Sequence, residues 1–138
     1  MAVTRAQIDR LLQAAEAARV HAYARYSGFT VGAAVLADNG SIHSGCNVEN
    51  ASYGLTVCAE RVAIFRAVSE GAAKILAVAV VASGASPAMP CGACLQVISE
   101  FGGPDALIIS ASADGPEERE VHLLEALLPK PFRLTTDY

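Results

Sequence analysis

The 138-residue chain has no apolar run near the roughly 18 residues needed to cross a bilayer. Its longest, Ile75 to Ala82, has the length of a strand and is rich in valine and alanine. Met1-Ala2-Val3-Thr4-Arg5 does not open an apolar signal-peptide core either, so the expected location is the cytoplasm. Lys and Arg do not cluster: Arg5, Arg10, Arg19 and Arg25 are spread along one segment among acidic and apolar neighbours. A nucleic-acid partner needs a basic track to neutralise phosphates, and ten basic against fourteen acidic residues, net −4, supply none. Nucleic acid and membrane are therefore not expected as partners, and a small, uncharged or weakly charged substrate is favoured. Linkers, repeats and low-complexity stretches are also missing, so residues 1–138 are expected to form a single domain.

Apolar residues make up 53% of the chain, much of it alanine and valine. That composition suits close packing between elements and leaves apolar surface for a partner subunit to cover. Thr4 with Gln7 has a capping-box pattern, and Ile8, Leu11, Leu12, Ala15 and Ala18 make a helical stripe, so a helix is expected from Thr4 to about Tyr23. Strands are expected near Phe29 to Ala37 and Ser41 to Asn47, joined by a hairpin at Asp38-Asn39-Gly40. A helix from about Val57 to Glu70 stops at Gly71. The run Lys74 to Ala82 reads as a buried strand, Gly92 to Phe101 as a helix, and Ala106 to Ala111 as another buried strand. Asp114-Gly115-Pro116 reads as a turn, Glu120 to His122 as a short strand and Leu123 to Leu128 as a short helix. Two strand–helix–strand crossovers imply parallel strands, and the hairpin adds an antiparallel pair. The expected fold is α/β: three layers, α/β/α, around a mixed, mostly five-stranded sheet.

Four cysteines remain: Cys46, Cys58, Cys91 and Cys94. In a reducing compartment they are not expected to form disulfides. Cys91 and Cys94 form a C-x-x-C unit at a predicted helix start, and Cys58-Ala59-Glu60 lies at another. Helix N-termini stabilise thiolates, and two of them side by side could give a three-thiolate zinc site with its fourth position open to water. A structural zinc site with Cys46 as fourth ligand and a redox pair are the other readings of this spacing. Glu60 can reach a metal-bound water only if Cys58 sits at the helix cap, because residues two apart on a helix do not face each other. Three thiolates more than neutralise a divalent ion, and Arg61, three residues after Cys58, is placed to donate hydrogen bonds to them. His21, His43 and His122 lack metal-ligand spacing with one another.

Together the Cys-Ala-Glu and Pro-Cys-x-x-Cys elements match the zinc nucleoside and nucleobase deaminase signature. Gly45-Cys46-Asn47-Val48-Glu49-Asn50-Ala51-Ser52-Tyr53-Gly54, Tyr26-Ser27-Gly28-Phe29-Thr30-Val31-Gly32-Ala33-Ala34 and Leu127-Leu128-Pro129-Lys130-Pro131-Phe132 extend the likeness over nearly the whole chain. The sequence resembles the small homotetrameric cytidine deaminases. That resemblance implies one Zn2+ per chain on Cys58, Cys91 and Cys94, with Glu60 as proton shuttle. Asn47 and Glu49 would hold the ribose hydroxyls, Phe29 would pack on the nucleoside, and backbone at Ala59 would meet the cytosine edge. Phe132 would reach a neighbouring subunit's site, and the loop containing Ala51 and Tyr53 would cross a subunit boundary. The implied reaction converts free cytidine or deoxycytidine to the uridine nucleoside and ammonia, as in pyrimidine salvage. The carboxylate of Glu49 suits two sugar hydroxyls and would repel a phosphate, which favours nucleoside over nucleotide. A deaminase of a modified cytosine nucleoside such as blasticidin S, and a non-catalytic zinc-stabilised interaction module, are the alternative functions. The family usually carries arginine where this chain has Leu95, a change expected to alter a subunit contact or the pocket rim.

Overall fold

A computed structural model describes residues 2–115 and 118–134. Helix α1 (Arg5–Arg19) begins with the expected capping box: Thr4 accepts from the Gln7 N–H, and the Gln7 side chain reaches back to the Thr4 N–H. It ends four residues short of Tyr23, whose backbone instead bonds Asn47 and Glu49. The strands are β1 (Val31–Ala37), β2 (Ile42–Cys46), β3 (Ile75–Ala82), β4 (Gly102–Ser112) and β5 (Arg119–Leu123). The further helices are α2 (Ala59–Ser69), α3 (Gly92–Phe101) and the short α4 (Leu124–Leu127). Pro116 of the expected turn lies outside the described residues. None of the described helices is long and apolar enough to cross a membrane.

The five strands form one sheet in the order β2-β1-β3-β4-β5. Only β3 and β4 pair in parallel; β1 pairs antiparallel with both β2 and β3, and β5 pairs antiparallel with β4. The crossover β2–α2–β3 therefore joins parallel strands with β1 between them, and β3–α3–β4 joins neighbours. Strand β4 starts directly at Gly102, four residues before the expected Ala106. Gly102 leaves the helix in an extended conformation (φ −115°, ψ 150°), so no separate turn is needed.

The sheet is covered on both faces, making three layers. Leu11 and Ala15 of α1 pack on Ala34, Leu36, Ala77, Ala79 and Ile109. On the other face Ala63, Ile64 and Ala67 of α2, Leu95 and Ile98 of α3, and Leu124 of α4 pack with Val35, Val78, Val80 and Ile108. Burial of each large aliphatic chain contributes about 1.5–3 kcal/mol. Two glycines set the layer spacing. A Cβ on Gly32 would lie 1.9 Å from the Ala15 carbonyl oxygen of α1, and one on Gly45 would lie 2.6 Å from the Ala63 nitrogen of α2.

The topology puts the chemistry at one edge. Helices α2 and α3 start after the C-terminal ends of β2 and β3, the side where open α/β sheets bind ligands. Strand β1, running the other way, begins there, which brings Phe29 to the same edge.

Candidate active site

Cys58 caps α2 and Cys91 caps α3. Both have extended backbones (φ −68°, ψ 153° and φ −70°, ψ 168°), and neither side chain is spent on a cap hydrogen bond. The cap position that Glu60 requires is thus the one Cys58 occupies. The Cys58 and Cys91 sulfurs lie 4.0 Å apart and those of Cys91 and Cys94 3.5 Å apart. All three lie within 4.8 Å of one another. Tetrahedral zinc with Zn–S bonds of about 2.3 Å needs sulfurs about 3.8 Å apart, so the cluster fits such an ion. Cys46 lies half-buried in β2 and is not part of the cluster, which leaves three sulfur ligands rather than four.

The electrostatics suit anionic sulfur. A hydrogen bond from Cys94 and then Arg61 bring the Cys58 thiol down to about 5, against the opposing effect of burial. As donor to Cys58, and buried itself, Cys94 is pushed up. Arg61 Nη2 donates to Cys58 Sγ at 3.4 Å, as its spacing suggested. Glu60 is 5% exposed. Burial, and then the nearby Cys58 charge, raise it above the ordinary carboxylate range, which suits a group that must both take and return a proton.

A cavity of about 260 Å3 opens beside the cluster. It is lined by Cys58, Ala59, Glu60 and Cys91, by Phe29, Asn47 and Glu49, and by Val31, Thr56, Val80, Ala88 and Met89. Cys94 is buried behind its neighbours. Asn47 is 7% exposed and stitches the start of β1: its Oδ1 accepts from the Val31 N–H at 2.9 Å, and its Nδ2 donates to the Phe29 carbonyl at 2.8 Å. Glu49 accepts from the Tyr26 and Ser27 N–H groups and from the Ser27 hydroxyl. The Ser27 hydroxyl first, against slight desolvation, holds Glu49 below the usual carboxylate range. Three of its roughly four lone-pair sites are thereby occupied by protein donors.

Phe132 does not line the cavity of its own chain. The residue is 70% exposed, while its backbone is clamped by the Gln96 amide through bonds of 2.9 and 3.1 Å. Ala51 is exposed, as is Tyr53, which meets Tyr26 edge-on with centroids 6.1 Å apart. Leu95 is 8% exposed in the apolar core and is not at the pocket rim. Reasoning from the sequence singled out neither Ser27 nor Met89. Met89 could have been found from its place beside Pro90-Cys91, whereas Ser27 meets a partner 22 residues away, which no local pattern reveals.

Residues 5–111 match the model of the family described as "Cytidine and deoxycytidylate deaminase zinc-binding region". The chain belongs to this family. A cytidine deaminase of Halalkalibacterium halodurans is 48% identical over 122 residues, 88% of this chain and 91% of that protein. One from Sporosarcina psychrophila is 52% identical over 94 residues, 68% of this chain and 69% of that protein. The crystal structure of cytidine deaminase from Burkholderia pseudomallei superimposes with a TM-score of 0.85 at 44% identity, covering 94% of this chain and all (100%) of that one. In this family member the zinc-binding region thus contains the three-cysteine cluster, with Glu60 buried beside it.

Proposed function

We propose that this chain hydrolyses the exocyclic amine of free cytidine and deoxycytidine, giving the uridine nucleoside and ammonia. The observation that carries this reading is the buried Glu60 beside three clustered sulfurs, on a cavity that Asn47 and Glu49 also line. Zn2+ held by Cys58, Cys91 and Cys94, one ion per chain, would supply a water acidified toward neutrality. Glu60 takes a proton from water and passes it to N3 of the cytosine ring as the water oxygen adds at C4. It then moves a second proton to the amino group, which leaves as ammonia. The Arg61 guanidinium draws charge from Cys58 and so limits how far three thiolates quench the ion.

Asn47 and Glu49 hold the sugar, Phe29 packs on the nucleoside and the backbone at Ala59 meets the cytosine edge. Phe132, exposed and clamped, stacks in a neighbouring subunit's site, and the loop with Ala51 and Tyr53 crosses the boundary between subunits of a homotetramer. Exposed Leu55, Phe65 and Phe132, at 67%, 50% and 70%, support such burial between copies. The setting is cytoplasmic pyrimidine salvage. The family membership, the named relatives and the small cavity all support a nucleoside substrate.

The test is ammonia release by metal-replete protein from cytosine nucleosides, nucleotides and the free base, with and without a chelator. Turnover of cytidine and deoxycytidine, lost on chelation and regained with zinc, is expected. Turnover confined to a modified cytosine nucleoside, or zinc binding without any turnover, would overturn the proposal.

A further inference from the structure

The outer side of Glu49 is gripped by one short segment. The N–H groups of Tyr26 and Ser27 donate to Glu49 Oε1 at 2.9 and 3.1 Å, and the Ser27 hydroxyl donates to Oε2. The same hydroxyl accepts the Phe29 N–H at 3.0 Å. Gly28 lets the chain turn tightly enough for both contacts, with φ at +72° and open space where a Cβ would stand. One oxygen atom thereby joins the carboxylate to the main chain of Phe29, which lines the same cavity.

Hydrogen-bond accounting then limits what the sugar end can recognise. An ionised carboxylate has about four lone-pair sites, and three protein donors leave Glu49 one, on Oε2. Asn47 has spent one N–H on the Phe29 carbonyl and one lone pair on the Val31 N–H, leaving one of each. A hydroxyl is at once donor and acceptor, so the free acceptor of Glu49 and the free N–H of Asn47 suit one hydroxyl between them.

We propose that Ser27 is a positioning residue for substrate: its hydroxyl fixes the Glu49 carboxylate and the Phe29 main chain in one geometry and restricts Glu49 to a single free acceptor. This rests on the reading that Glu49 receives the sugar of a cytosine nucleoside. Alanine at this position keeps both backbone N–H bonds to Oε1. It leaves the Phe29 N–H without its partner and opens a second acceptor site on Oε2.

The experiment compares wild type, Ser27→Ala and Ser27→Thr, each metal-replete, by ammonia release from cytidine and deoxycytidine, with zinc content and thermal midpoint measured on the same samples. Ser27→Ala is expected to raise KM for deoxycytidine about fivefold, with kcat within about twofold. Cytidine should lose less, because its extra hydroxyl can use the newly opened acceptor, so the ratio of the two KM values shifts toward cytidine by about twofold. Ser27→Thr keeps the hydroxyl and should restore both KM values. A merely structural role would lower the midpoint and depress kcat for both nucleosides alike, without changing their ratio, and that result would overturn the proposal. Unchanged KM values in Ser27→Ala, or failure of a folded Ser27→Thr to restore them, would do so too. Wild-type protein inactive on every cytosine nucleoside would overturn the functional reading and this proposal with it. An active wild type with kinetics insensitive to Ser27→Ala would overturn this proposal alone.

Discussion

Two sets of cavity-lining residues, a sulfur end and a proposed sugar end, are built from different materials. The sulfur end stands on regular structure: two helix caps, one residue in the first turn of α3 and a buried glutamate in the first turn of α2. Its backbone is held by helix hydrogen bonds and by packing on the sheet. The proposed sugar end lies outside the named strands and helices, where side-chain bonds of Ser27, Asn47 and Glu49 add to backbone bonds and isolated bridges at Val48. On the proposed reading, chemistry that tolerates little displacement is placed on helices, and recognition on side-chain hydrogen bonds between segments.

Substitutions should separate the two ends. The largest effect is expected from Glu60→Gln, which removes the proton carrier without touching a sulfur. Turnover should fall by about 10²–10⁴, with zinc content by metal analysis unchanged. Retention of substantial ammonia release would break the assignment of chemistry to the helix end. Arg61→Gln should come next: the loss of a charge-assisted bond to Cys58 should lower kcat about tenfold. Zinc content should fall less than kcat and KM should stay near wild type, because the sugar end is not involved. A rise in KM as large as the fall in kcat would mean that the two ends are mechanically coupled. The smallest effect concerns acid pH. Since Ser27 holds the Glu49 carboxyl below its ordinary range, the carboxylate stays charged as the pH falls through the usual carboxylate region. Nucleoside binding should therefore weaken only below about pH 4.3, the ordinary glutamate value. In Ser27→Ala the carboxyl protonates at higher pH, so that weakening should begin sooner, as calorimetric titration would show.

The helix end was also the legible end. Its signals are local: a capping box for α1, cysteines at fixed spacing, and apolar stripes and runs whose periods match the elements they form. The order of elements, the antiparallel hairpin and the two crossovers follow from the same patterns. The cap geometry that makes Glu60 useful was legible as a condition, and the structure meets it. The proposed sugar end rests on resemblance, and its hydrogen bonds have no local signal. The Asn47 bonds to the β1 entrance and the Ser27 hydroxyl bonded to Glu49 join residues 16 to 22 apart, brought together by sheet register and a glycine turn. Leu95 shows the same limit from the other side: the likeness drew attention to the position, but only packing showed that it is core.

Gly32 and Gly45 have a consequence for how such a protein can change over generations. They lie on the two paired strands of one hairpin, and each admits a helix backbone closer than any side chain would allow, one on each face of the sheet. Even a single methyl at either would push away a whole layer, whereas the side chains of Tyr26 and Phe29 in the neighbouring turn are 43% and 44% exposed. A lineage would therefore be expected to keep the slab fixed and vary such exposed side chains, so that its members differ at the cavity while remaining superimposable in shape.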